Sequence, residues 1–136
     1  MKKLALLICA SALVAIISGC AHGGSYDPKN TAKFNQEDSS KFVLLDADAQ
    51  RSVTCTGIQE GKTSDGRMKV VANIRNRENR RIEVQVSCVF KDAQAFAVDE
   101  TPYRTLILDE NSTQSVPFES FRKDAVKYTV RVRQAR

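Results

Sequence analysis

Three segments of the chain alternate apolar and polar residues with a period of two, and this pattern constrains the fold more than any other feature. The segments read MKVVANIRN at 68–76, RIEVQVSCVF at 81–90 and YTVRVRQ at 128–134. Successive side chains of a β-strand point to opposite faces of its sheet, so each segment would have one apolar and one polar face. Such strands are typical of antiparallel sheets with one buried face and one face in water.

Weaker strand patterns and turn signals agree with this interpretation. Asp65-Gly66 predicts a hairpin, NRENR and DENS predict two further turns, and FRKDAVK at 121–127 is the one candidate for a helical turn. Weaker strands are expected near residues 42–46, 52–60, 102–108 and 113–119. With about seven short strands, the chain is predicted to be all-β, an antiparallel β-sandwich of Ig-like type.

The N-terminus carries an apolar run that ends at a cysteine. Two lysines precede the run over residues 4–17, and Ser18-Gly19-Cys20 follows it. A membrane-spanning helix needs roughly 20 apolar residues, so a signal peptide over residues 1–19 is favoured. The pattern resembles the lipobox of bacterial lipoproteins, which implies cleavage before Cys20 and attachment to the membrane through acyl chains on that residue. Ordinary secretion, with Cys20 as an incidental thiol, is the alternative.

The residue after the cysteine bears on the destination of such a lipoprotein. In proteobacteria an aspartate at this position retains lipoproteins in the inner membrane, and Ala21 is not an aspartate. The resemblance therefore implies an outer-membrane lipoprotein that faces the periplasm.

The composition changes after Cys20 and again near Lys41. Residues 21–40 read AHGGSYDPKNTAKFNQEDSS, without apolar periodicity, which predicts a flexible tether over 20–41 and a sandwich domain over 42–136. Without residues 1–19 the chain keeps 19 basic residues against 16 acidic ones, a net charge of +3. That charge is too small to predict binding to nucleic acid.

No group of residues has the composition of an active site or a metal site. The only histidine, His22, lies in the tether, whereas a nucleophilic triad needs an imidazole inside the fold. Cys55 and Cys88 are 33 residues apart, unlike the short spacings of a zinc site. We therefore predict no catalytic function, cofactor or metal. The acidic pairs lie at predicted loops or strand ends and are expected to be solvated: Asp46/Asp48, Asp99/Glu100 and Asp109/Glu110.

The two cysteines of the domain are expected to be free thiols. In a simple meander with two-residue hairpins, Cys55 lies level with Asn76 and Cys88 lies level with Lys69, seven residues along the sheet. Seven residues span roughly 23 Å, whereas a disulfide needs Cα atoms within about 7 Å. If residues 52–60 belong to the facing sheet, the calculation does not apply and a disulfide across the core is allowed.

Four arginines surround one predicted turn in RNRENRR: Arg75, Arg77, Arg80 and Arg81. The simplest interpretation is a solvated hairpin tip, because surface arginines mostly contact water. The alternative hypothesis is contact with lipid phosphates, lipopolysaccharide or peptidoglycan carboxylates, since a guanidinium group binds such oxyanions with two parallel hydrogen bonds.

The segments VFKD, YRTLILD and FESFRKDAVKYTVRVR, together with the lipobox, resemble the YcfL-like family of small bacterial lipoproteins, whose function is uncharacterised. Two positions differ from the family pattern: Ala95 replaces an expected turn glycine and Tyr103 an expected tryptophan. Genes of the family often lie near that of an outer-membrane lipoprotein that activates a peptidoglycan synthase. The resemblance therefore implies a role in the cell envelope.

Two functional classes fit these observations. The first is a non-catalytic binding or adaptor module that engages an envelope protein, with a link to peptidoglycan assembly. The second is a carrier of a lipid or another small ligand, and an accessory lipoprotein of a secretion system is a further alternative. A carrier requires an apolar cavity, whereas an adaptor requires a filled core with an exposed apolar patch or an open sheet edge. Short strands enclose little volume, which favours the adaptor.

Overall fold

The computed structural model describes residues 40–135 of the chain. The predicted signal peptide, Cys20 and most of the tether lie outside these described residues. None of the helices within them is long and apolar enough to span a membrane. The elements are β1 (Phe42–Leu44), α1 (Ala47–Ser52), β2 (Val53–Lys62), β3 (Met68–Asn76), β4 (Ile82–Lys91), β5 (Ala97–Glu100), β6 (Arg104–Leu108), β7 (Thr113–Glu119) and β8 (Lys127–Gln134).

The strands form two sheets, which confirms the predicted β-sandwich. The larger sheet has the order β1-β8-β4-β5, and β6 also pairs with β4, while the smaller sheet has the order β2-β3-β7. All pairs are antiparallel except β1 with β8, which is parallel. The three segments with the strongest alternation became β3, β4 and β8, and they form the centre of the two sheets.

Three local predictions were incomplete or wrong. The sequence patterns did not predict β5 or α1. Helix α1 begins at Ala47 because the preceding Asp46 carboxylate accepts a hydrogen bond of 2.8 Å from the Ala49 amide. The helical turn predicted at 121–127 does not form. Instead, the Val126 amide donates to the Lys91 carbonyl at 2.9 Å, which directs the segment into β8 beside β4.

The apolar residues of the alternating strands meet between the two sheets. Val70, Ala72 and Ile74 of β3 are fully buried there, and they face the inner residues of the larger sheet. Burial of each large apolar side chain stabilises the fold by roughly 1.5–3 kcal/mol. The inner residues of β4 and β8 include Val84, Val86, Cys88, Phe90, Tyr128, Val130 and Val132.

The register predicted for the cysteines was wrong, although both are free thiols in the structure. The first hairpin has a five-residue connection with Lys62 paired to Met68, and a bulge follows Cys55, so that Cys55 pairs with Ile74. The second turn does not form a hairpin, because β3 and β4 lie in different sheets. Cys55 and Cys88 therefore belong to facing sheets, and the meander calculation does not apply.

A buried asparagine holds the chain where it crosses between the sheets. The Asn76 side chain, which is 0% exposed, donates through Nδ2 to the Arg80 carbonyl at 2.7 Å and the Asp109 carbonyl at 2.9 Å. Its Oδ1 accepts from the Glu78 amide at 2.9 Å. One carboxamide thus ties the β3–β4 connection to the β6–β7 connection, and its burial makes each of these bonds costly to lose.

The connections gather at two opposite ends of the sandwich. At one end, α1, the 77–81 turn and the 109–112 loop lie together, since the Arg77 amide donates to the Ser52 carbonyl and the Asn111 amide to the Glu78 carbonyl. We call this the arginine end. The other end carries the 63–67, 92–96 and 120–126 connections, and we call it the phenylalanine end, after Phe96 and Phe121.

Ala95, in the 92–96 loop, has a positive φ of 71°. This left-handed conformation places Cβ close to the following carbonyl oxygen and favours glycine. The structure thus explains why a glycine was expected at this position: the loop needs a left-handed residue, and alanine adopts that conformation with strain.

Replacing Asn76 by alanine is expected to lower the free energy of unfolding by about 2–4 kcal/mol, because buried carbonyl and amide groups lose their partner. Urea titration followed by circular dichroism measures this. Asn73→Ala is the matched control on the same strand, since the Asn73 side chain bonds only the exposed Ser115 hydroxyl, at 2.6 Å. Equal effects of the two substitutions would contradict the role assigned to Asn76.

Replacing Ala95 by glycine is expected to raise the free energy of unfolding by about 0.5–1 kcal/mol, since glycine adopts a positive φ without strain. Ala97→Gly, two residues further on in the extended strand β5, should instead lower stability by a similar amount. A loss of stability in both variants would show that the left-handed conformation at Ala95 is not strained.

Candidate functional site

The four arginines singled out by the sequence all lie at the arginine end, but the structure divides them into two pairs. Arg75 lies on β3 and Arg77 just beyond it, whereas Arg80 and Arg81 lie at the far side of the turn, before β4. All four are exposed. The two pairs differ in the carboxylates that surround them.

Arg80 and Arg81 are neutralised by neighbouring acidic side chains. Arg80 Nε donates to the Glu78 carboxylate, and Arg81 Nε lies 2.9 Å from Asp109 Oδ1. The Ser52 hydroxyl also donates to Glu78, and its hydrogen bond, followed by that of Arg80, holds the pKa of Glu78 below its usual value. The charge of this pair is therefore balanced by neighbouring carboxylates, and one N–H of each guanidinium group is already bonded.

Arg75 and Arg77 lie beside an open groove on the outer face of the smaller sheet. The groove has a volume of about 330 Å³ and is lined by Thr54, Thr56, Arg75, Arg77 and Asn111. Thr54 pairs directly with Arg75 across β2 and β3. Within residues 40–135, no carboxylate forms an ion pair or hydrogen bond with either guanidinium group.

This groove has the chemistry of an oxyanion site. Arg75 and Arg77 supply two permanent positive charges and planar arrays of N–H donors, which match the geometry of carboxylates and phosphates. The two threonine hydroxyls add further donors at the same place, and the Asn111 side-chain amide, which donates to Asn79 Oδ1 at 3.0 Å, has a second N–H. None of the five lining residues is acidic, so an anion would meet no like charge inside the groove.

The larger groove at this end is electrically balanced. It has a volume of about 490 Å³, and its charged lining residues are three arginines and three acidic residues: Arg51, Arg80, Arg81, Asp48, Glu78 and Glu83. Arg51 also bonds Asp48, at 3.1 Å. Because opposite charges already pair there, this groove offers less to an anion than the smaller one.

Five of the six acidic residues noted in the sequence have structural partners, and the sixth, Glu110, is exposed as predicted. Asp46 caps α1 and also accepts from the Gln134 amide at 2.7 Å. Asp99 accepts from the Phe121 amide at 2.7 Å, and Glu100 pairs with Arg131. Asp109 pairs with Arg81, as described above. These carboxylates hold elements together and do not converge on a common point.

Neither cysteine of the domain has the properties of a nucleophile. Burial raises the pKa of the Cys88 thiol to about 12. Burial also raises the pKa of Cys55, against the lesser effect of its hydrogen bond to the Gly57 carbonyl. The residues from 40 to 135 contain no cluster of three or more side chains suited to hold a metal ion. His22 and Cys20 lie outside that range.

Sequence reasoning found the arginines but missed the other lining residues. Thr54, Thr56 and Asn111 come from β2 and the β6–β7 loop, so only the pairing of β2 with β3 and the crossover at Asn76 bring them beside Arg75 and Arg77. The pattern also gave no way to separate the two arginine pairs, because Arg81 meets Asp109 from a distant part of the chain.

Comparisons with known proteins support the fold. No protein-family model and no curated protein matches the sequence. The structure is similar to that of cj0090 from Campylobacter jejuni, with a TM-score of 0.58 and 12% sequence identity over 70% of this chain and 98% of that one. It is also similar to a DUF1425 family member from Shewanella sp. pv-4, with a TM-score of 0.57 and 17% identity over 62% of this chain and 79% of that one. The chain thus shares its sandwich fold with small bacterial proteins of unknown function.

Proposed function

We propose that this protein is a lipid-anchored, non-catalytic binding module of the bacterial cell envelope, and that its arginine end binds an anionic partner. The observation that carries the proposal is the groove formed by Arg75, Arg77, Thr54, Thr56 and Asn111, where two arginines without carboxylate partners lie among neutral donors. In the envelope, the carboxylates of peptidoglycan and acidic surfaces of its assembly proteins are the anions that fit such donors.

The attachment proposed is acylation of Cys20 after removal of residues 1–19. Its support is the charged start, the short apolar run and the small residues before the cysteine. Several acyl chains on one residue give stable anchoring, where a single chain gives only marginal binding. Ala21 favours the outer membrane as the destination, with the folded domain in the periplasm, and the YcfL-like resemblance agrees with this location.

A carrier function has less support. The grooves described above are open at the surface and lined largely by polar and charged side chains, unlike a chamber for a lipid tail. The space between the sheets is occupied by large side chains that are completely buried, among them Phe90, Ile74 and Leu108.

Replacing Arg75 and Arg77 together by serine is expected to weaken binding to the anionic partner at least roughly tenfold, because charge-assisted hydrogen bonds are lost. Cosedimentation of the purified protein with isolated murein measures the binding. The matched control is the double replacement of Arg80 and Arg81 by serine, which removes the same charge from the same turn. An equal loss in both double variants would contradict the proposal, and absence of murein binding by the parent protein would exclude peptidoglycan as the anionic partner.

Replacing Cys20 by alanine is expected to block acylation and cleavage. The variant should keep its apolar N-terminal segment, migrate as a larger precursor and fail to incorporate labelled palmitate. Its domain should unfold at the same urea concentration as the parent, since the described core lies between residues 42 and 132. Normal maturation of this variant into a soluble periplasmic protein would disprove the lipid anchor.

A further inference from the structure

We infer that the phenylalanine end is a membrane-contacting surface, which inserts the Phe96 and Phe121 side chains into the lipid interface. The inference rests on the proposed lipid anchor, and it assigns a separate role to the end of the sandwich opposite the arginine groove.

Three large apolar side chains project into solvent at this end. Phe96 is 71% exposed, Phe121 is 79% exposed and Val126 is 53% exposed. These side chains bury little surface in the core, and transfer of each one out of water would lower the free energy of the system. Clustered exposed apolar residues on a soluble domain mark sites of contact with proteins or membranes.

The backbone beneath Phe96 is held in place. The Asp92 carboxylate accepts hydrogen bonds of 2.9 Å from the amides of both Gln94 and Phe96. The Asp92 amide donates to the Phe96 carbonyl at 2.9 Å, which closes the loop. The exposure of the Phe96 ring therefore results from a defined loop structure.

The backbone beneath Phe121 is held in the same manner. Asp99 Oδ2 accepts from the Phe121 amide at 2.7 Å and from the Ser120 hydroxyl at 3.1 Å. The Ser120 hydroxyl in turn accepts from the Arg122 amide at 3.0 Å. An aspartate carboxylate thus accepts a hydrogen bond from the backbone amide of each exposed phenylalanine and holds it in place.

The two loops form one surface. The Val126 amide donates to the Lys91 carbonyl at 2.9 Å, and Lys127 Nζ donates to the Ala93 carbonyl at 2.9 Å. These bonds join the 120–126 connection to the 92–96 loop. The surface can therefore enter a lipid interface as a unit, without separation of its loops.

Lysines lie close in the sequence to the apolar residues of this end, Lys123 two residues after Phe121 and Lys127 directly after Val126. Lys123 and Lys127 form no ion pair with any carboxylate in the described part of the chain, whereas Arg122 pairs with Asp124 at 2.6 Å. Lysines beside aromatic rings suit an anionic interface, where the rings enter the acyl boundary and the ammonium groups contact phosphates.

The position of Ser40 favours a membrane over a protein as the partner. The Ser40 carbonyl accepts from the Thr129 hydroxyl at 3.0 Å, and Phe42 pairs with Val130 in parallel register. Traced backwards from Phe42, the described chain runs towards Lys127, so its first described residue, Ser40, lies on the side of the phenylalanine end. The twenty residues before this point lead to the predicted lipid on Cys20.

Lys41 fixes this exit point. Its Nζ lies 5.7 Å from the centre of the Tyr128 ring and forms an ion pair with Glu60. Tyr128 donates to the same carboxylate at 2.8 Å, and the two hydrogen bonds, that of Lys41 first, lower the pKa of Glu60. A twenty-residue tether of the kind that the composition of residues 21–40 predicts would span roughly 25 Å on average, so an acylated Cys20 would keep this end of the domain near the bilayer.

The sequence contains no tryptophan, which allows a single-probe experiment. Phe121→Trp is introduced into the acylated full-length protein, which is reconstituted into vesicles of phosphatidylethanolamine and phosphatidylglycerol. Emission is then measured with lipids brominated at different depths. We expect a blue-shifted emission and a depth of about 5–10 Å below the headgroups. Phe96→Trp repeats the test at the second loop, and Thr56→Trp at the arginine end is the control that should remain in water.

The outcomes separate the inference from the lipid anchor. Vesicle flotation reports the lipid anchor alone. If the Phe121→Trp and Phe96→Trp proteins float but both tryptophans stay in water, the anchor is intact and the inference is overturned. A protein that does not float contradicts both. Shielding of the probes in native envelopes but not in protein-free vesicles would assign the surface to a protein partner and would also overturn the inference.

Discussion

The buried carboxamide of Asn76 is the interaction on which the arrangement of the two sheets depends. It occupies the last position of β3 and bonds carbonyls of two of the three connections that cross between the sheets at the arginine end, the β3–β4 and β6–β7 connections. Since side chains alternate along a strand, the inward position of Asn76 directs Arg75 and Arg77 outward. The same residue therefore closes the core and orients the pair of arginines that defines the candidate site.

The two ends of the sandwich present different side chains, and the length of the strands between them separates the two surfaces. Strands of five to ten residues separate the ends, with an apolar core between the sheets. The arginine end presents guanidinium groups and neutral hydrogen-bond donors. The other end presents two phenylalanines whose backbone amides donate to aspartate carboxylates. Such a division suits a protein held at a surface by one end and bound to a partner by the other.

The sandwich could be predicted because its evidence is local. Val70, Ala72 and Ile74 alternate with polar neighbours, and that pattern specifies a strand with one buried face without knowledge of any other segment. The path between the sheets could not be predicted, because a turn at Glu78-Asn79 is compatible with a hairpin or with a crossover. Only the distant carbonyls of Leu108 and Asp109, which Asn76 binds, decide between them. The same holds for the arginines, because Asp109 beside Arg81 and Thr54 beside Arg75 come from distant parts of the chain.

The central claim is that the two ends face opposite directions, one towards lipid and one towards an anionic partner. In-cell photocrosslinking from single sites of the full-length protein tests it most directly, with the photoreactive residue at Val126 in one variant and at Thr56 in another. The account predicts that Val126 crosslinks to phospholipid, and that Thr56 crosslinks to murein or to one envelope protein and not to phospholipid. Crosslinking of both positions to phospholipid, or of Thr56 alone, would contradict it.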